Sequence, residues 1–174
     1  MQVWELLRGW PGHPSHPPLT DAAIGTYTFG TTAAVLSKLG VSEENFAHAW
    51  WLALVVGLVF TVPTALTGFL DWLKITSGTP LKRTASVHAL TMLSATAAFL
   101  VTVGAGHGGY TDGEVTTGAF VVTLIGFGLL VAGGTFGGSV TYVHGMRVLN
   151  LVDEPARDAL SPLPSPEKEE AARG

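Results

Sequence analysis

Five ionisable side chains, His13, His16, Asp71, His88 and His144, stand out in a chain dominated by long apolar runs. Imidazoles and a carboxylate together form a borderline-hard donor set suited to zinc, iron, nickel or copper. Two imidazoles alone can hold a haem iron axially. The sequence therefore nominates His88, His144 and His16 as haem ligands, and His13, His16, Asp71, His88 and His144 as metal ligands. Haem b or a transition metal ion is the expected cofactor. A plainer account stands beside this one. A histidine near a membrane interface can be a polar tip among headgroups, and Asp71 can simply pair with Lys74 or Arg83. No nucleophile–base arrangement stands out, so no catalytic activity of the chain's own is expected.

Four long apolar runs must position these residues. Only 13% of the 174 residues are charged, against about 25% in soluble domains, and mean hydropathy is +0.40. Glycine is abundant, at 22 residues, which suits close helix packing in lipid. The absence of cysteine excludes disulfides, thiolate metal sites and iron–sulfur ligation by this chain. A net charge of −4 gives no reason to expect nucleic acid as a partner. The expected surroundings are a lipid bilayer.

The expected organisation has three parts. Residues 1–18 form an N-terminal interfacial segment: Met1–Trp10 carries apolar residues at helical spacing, and Pro11, Pro14, Pro17 and Pro18 impose extended or turn geometry. Residues 19–149 form an all-α transmembrane four-helix bundle, with helices at about 19–39, 43–75, 85–105 and 116–149. Thr20 or Asp21 is the expected cap of the first helix, and Ser42 with Glu43 and Glu44 marks the start of the second. Pro63 is an expected kink. GHGGYTDGE reads as a loop, and residues 150–174, rich in proline and charge, as a disordered tail. No internal repeat stands out.

Arg8, Lys74, Lys82, Arg83, Arg147 and the basic tail residues fall on one side of such a bundle. Lys38 falls on the other, with Glu43, Glu44, Asp112 and Glu114. Basic residues favour the cytoplasm, so both termini are expected there. Asp71 precedes Lys74 by three residues, His144 precedes Arg147 by three, and His88 follows Arg83 by five. If each basic residue marks the headgroup level, the acid or imidazole lies roughly 5–8 Å further in, at 1.5 Å per residue. PGHPSHPP ends beside the same layer, so a compact bundle can bring His13 or His16 against His88, His144 and Asp71. His48 and His107 lie at the opposite end. Gly133, Gly134, Gly137 and Gly138 form overlapping small-xxx-small patterns on the fourth helix.

GHPSHPPLTDAAIG, TGFLDW, RTASVHAL and GGSVTYVHGMRV resemble the bacterial membrane family catalogued as domain of unknown function 2231. The resemblance spans about His13–Val148. Thr91 stands where the family pattern has Asn, and Met146 where it has a small aliphatic residue. The resemblance implies a four-helix protein of the bacterial inner membrane. It also implies, from relatives fused to Rieske-type iron–sulfur domains, a Rieske-type protein as an electron-transfer partner.

Three functions are compatible with these residues. The first is a haem- or metal-binding redox subunit, with Asp71 orienting an imidazole. The second is a structural or assembly subunit in which the cluster ties the N-terminal segment to the bundle. The third is a small proton-coupled transporter with Asp71 and the histidines as a relay.

Overall fold

The computed structural model describes residues 3–10, 13–149 and 152. The expected tail at 150–174 otherwise lies outside the described residues. Helix α1 (Val3–Arg8) leads into two-residue strands β1 (Gly9–Trp10) and β2 (His13–Pro14), which pair antiparallel with Gly9 opposite Pro14. Four long helices follow: α2 (His16–Lys38), α3 (Glu43–Lys74), α4 (Pro80–Ala105) and α6 (Thr117–Gly138). A short helix, α5 (His107–Asp112), links α4 to α6, and a π-helical turn, Ser139–Val143, extends α6.

Several boundaries differ from expectation for local reasons. Helix α2 begins at His16 rather than at 19, because Pro17 and Pro18 occupy its first turn, where a missing N–H costs nothing. Thr20 does not cap; its hydroxyl donates to the carbonyl of His16. Helix α4 begins at Pro80 rather than at 85, with the Thr79 hydroxyl accepting from the Lys82 amide at 3.1 Å. GHGGYTDGE is not all loop, since it contains α5. The fourth helix stops being α-helical at Gly138. Helix α3 continues through Pro63.

Three helices are long and apolar enough to cross a membrane: Glu43–Lys74, Pro80–Ala105 and Thr117–Val143. Helix α2 is long enough, at 23 residues, but its Thr, Ala and Gly content lowers its hydropathy. The hydroxyls of Thr20, Thr26, Thr31, Thr32 and Ser37 each donate to a backbone carbonyl within the fold. The outward faces of α3, α4 and α6 carry exposed Val59, Val62, Leu66, Leu90, Leu100 and Val131, a surface suited to lipid rather than water.

The bundle is two hairpins. Helix α2 packs along α3, and α4 along α6; the hairpins then meet through α3 against α4 and α2 against α6. Trp50, Tyr27, Phe99 and Leu54 are fully or nearly fully buried at the centre. The Trp50 indole donates to the Thr123 hydroxyl at 3.0 Å, so its one polar atom is paired. Close approach within each hairpin depends on glycine: a Cβ on Gly57 would lie 2.5 Å from the Tyr27 ring, and one on Gly126 3.0 Å from Phe99. Gly57→Val should therefore destabilise the protein by about 1–3 kcal/mol through overpacking. Gly128→Ala, where a Cβ would have open space, should change little; unfolding in mixed micelles checks both.

Candidate functional site

A cavity of about 890 Å³ opens between the two hairpins, within the range that takes cofactor-sized ligands. His16 and His88 both line it, with Tyr27, Ala23 and Ala95 deeper in and Asp71, Arg147 and Met146 towards one end.

Each imidazole is fixed in the same way. His16 Nδ1 lies 2.9 Å from the carbonyl oxygen of Thr64 on α3. His88 Nδ1 lies 2.8 Å from that of Gly133 on α6. A carbonyl can only accept, so in both rings Nδ1 carries a proton, and in the neutral ring Nε2 then keeps its lone pair. The ring of His16 rests on Gly68, where a Cβ would come within 2.7 Å of Cε1; the ring of His88 rests on Gly137, with 2.9 Å. Any larger residue at either position would displace the imidazole. The two ring centroids are 6.4 Å apart, with planes inclined at 79°.

Asp71 has a different task from the one expected. Its carboxylate accepts from Arg8 Nε at 2.8 Å and from Arg147 Nη1 at 2.9 Å. Arg147 also donates through Nη2 to the carbonyl of Gly9 at 2.8 Å. The sequence suggested Lys74 or Arg83 as partners. Lys82 instead caps the end of α3, donating to the carbonyl of Trp72 at 2.6 Å with its ammonium 3.3 Å from the Trp72 ring centre. The three-residue cluster joins the start of the chain, the end of α3 and the turn after α6. Arg147 holds a left-handed backbone conformation, φ 59°, which costs energy for a non-glycine residue and persists where contacts enforce it.

The other candidates are not gathered in. His13 is exposed on β2. His144 Nε2 sits 3.0 Å from the Thr84 hydroxyl, outside the cavity lining. Among the described residues, no group of three or more His, Cys, Asp or Glu is placed to hold a metal ion. The five expected ligands thus separate into an imidazole pair, an Asp–Arg cluster and two histidines apart from both. At the opposite end, Trp51 stacks on Tyr110 at 4.6 Å, with His48 and His107 edge-on to this pair.

Asp71→Ala should cost about 3 kcal/mol, because it leaves two guanidiniums facing each other without their shared acceptor. Arg8→Ala should cost less, since Arg147 still neutralises the carboxylate. Both should speed tryptic cleavage of the N-terminal segment in detergent, Asp71→Ala the more.

The sequence profile of a family described as predicted membrane protein (DUF2231) matches residues 12–150. No curated protein and no solved structure matches the chain. The matched span contains both imidazole sites and all four long helices, and the chain belongs to the DUF2231 family of predicted membrane proteins.

Proposed function

We propose that this membrane protein is a redox subunit that binds haem b or a transition metal ion in the cavity between its hairpins, with His16 and His88 as the protein ligands. The observation that carries this reading is the pairing of both Nδ1–H groups with helix carbonyls. Such a bond to the far ring nitrogen orients an imidazole and raises the basicity of the nitrogen that ligates. Two imidazoles bonded in line to one metal ion at about 2.0–2.1 Å each put their ring centres roughly 6 Å apart. The observed 6.4 Å agrees with that.

In this reading α2 is a fourth span, both termini face the cytoplasm, and the protein resides in a bacterial inner membrane. Its electron partner is a membrane-associated redox protein, a Rieske-type protein by the family's affinities. Asp71 fastens the end of the bundle and does not orient an imidazole, and neither His13 nor His144 is a ligand.

A second reading, a structural or assembly subunit without chemistry, draws on the absence of a third metal-ligating side chain beside the histidines among the described residues. There the His16 and His88 bonds only lock helices together. A proton-coupled transporter is disfavoured, because Asp71 is engaged by two guanidiniums that fasten the end of the bundle and does not stand open along a path.

Absorption spectra of detergent-purified protein, oxidised and dithionite-reduced, with elemental analysis of the same sample, separate the readings. A reducible haem band or stoichiometric metal is expected, lost in His16→Ala and in His88→Ala and retained in His13→Ala. Colourless, metal-free protein that gains no stability from added haemin or metal would favour the assembly subunit.

A further inference from the structure

The two hairpins are related to each other position by position. Tyr27 follows His16 by eleven residues, and Phe99 follows His88 by the same eleven. Gly57 precedes Gly68 by eleven, as Gly126 precedes Gly137. The contacts match as well as the spacing. His16 bonds the carbonyl four residues before Gly68 and rests on that glycine; His88 bonds the carbonyl four residues before Gly137 and rests on that one. Tyr27 lies against Gly57, and Phe99 against Gly126. Helix α3 meets α4 as α6 meets α2. Both hairpins start at the same end of the bundle, so the relation is a twofold axis running along the helices, as in parallel repeats of membrane proteins. Two pairs straddle that axis. One is His16 with His88, 6.4 Å apart. The other is Tyr27 with Phe99, stacked at 4.1 Å and 9°, three turns or roughly 16 Å further along.

From this we infer that the chain is a tandem repeat of one hairpin, and that its axis passes through a haem whose iron is bound on opposite faces by His16 and His88. The inference rests on the redox reading above and narrows it. Twofold-equivalent ligands with the same orienting bond offer the same bond to a central ion. Neither can be the ligand while the other stands back as a distal residue. Two imidazoles leave four coordination positions, and among the described residues no third His, Cys, Asp or Glu joins them. A porphyrin supplies those four itself, whereas a bare metal ion would be left under-coordinated. Below the imidazoles the Tyr27–Phe99 stack closes the axis, so the cofactor sits towards the His16 end.

A haem held on both faces by His16 and His88 would have no place for oxygen or another substrate. It would supply one-electron transfer alone, between a reduced iron–sulfur protein as donor and an oxidised metalloprotein as acceptor.

The test uses full-length protein in detergent, purified with haem or titrated with haemin. Electron paramagnetic resonance of the ferric form should show a low-spin signal, and carbon monoxide should leave the ferrous spectrum unchanged. His16→Ala and His88→Ala should each give a high-spin haem that binds carbon monoxide, to similar extents, and added imidazole should restore the low-spin signal in both. A high-spin or carbon monoxide-binding wild-type haem would overturn the axial assignment and leave haem binding itself standing. So would a variant of either histidine that stays low-spin. Failure of the wild-type protein to take up haemin would overturn both the inference and the redox reading. The wild-type spectra decide the matter even if a variant does not fold.

Discussion

Everything near the cavity depends on an imidazole lying flat on a glycine while its Nδ1–H reaches the carbonyl one turn earlier. The bond needs the ring close to the helix backbone, and only a glycine lets it come so close. Gly68 provides that surface for His16 and Gly137 for His88. The same contact therefore sets the separation of the two helices, the tautomer of the ring and the direction in which Nε2 is left available. In hydrocarbon an unpaired imidazole nitrogen is costly. The fold has satisfied one nitrogen of each ring with backbone, and the two rings share one cavity at a distance that a single ion can bridge.

The end of the bundle is secured by charge rather than by apolar packing. Asp71, with its side chain 9% exposed, holds Arg8 and Arg147, themselves 20% and 17% exposed. Paired charges at this depth are tolerable because each has a partner, and Arg147 bonds the Gly9 carbonyl as well. The cluster ties the first helix and the turn after α6 to the mouth of the cavity. The site thus has a glycine-lined interior, and its mouth lies at the end where α1 and the turn after α6 meet Asp71.

The apolar runs made the long helices legible, since lipid-facing Val and Leu leave a strong signal whatever they touch. His16 and His88 were legible as candidates because imidazole is conspicuous among apolar residues. Their partners were not. Both accept through backbone carbonyls, Thr64 and Gly133, and a backbone carbonyl has no residue identity to read. Arg8 and Arg147 lie 63 and 76 positions from Asp71, whereas Lys74 and Arg83 are close in sequence, so local spacing favoured the wrong cations. The repeat was hidden because equivalent positions keep geometry and not residue type: Tyr27 answers to Phe99, and Thr64 to Gly133. Equal spacing of histidine, aromatic residue and glycine in the two halves was the available signal. Helix α2 sits lowest in hydropathy because it turns Thr, Ala and Gly towards its neighbours.

Each imidazole gives its Nδ1–H to a helix carbonyl and lines the same cavity, which in the neutral ring leaves Nε2 bare. Long-range proton–nitrogen correlation spectra of histidine-labelled protein in micelles, without added haem or metal, read this tautomer directly. Single substitutions of His16 and His88 would assign the signals. Two rings with a slowly exchanging Nδ1–H and a bare Nε2 are expected, their signals shifting together on addition of haemin. Rings protonated at Nε2, or averaging between tautomers as solvated histidines do, would contradict the account.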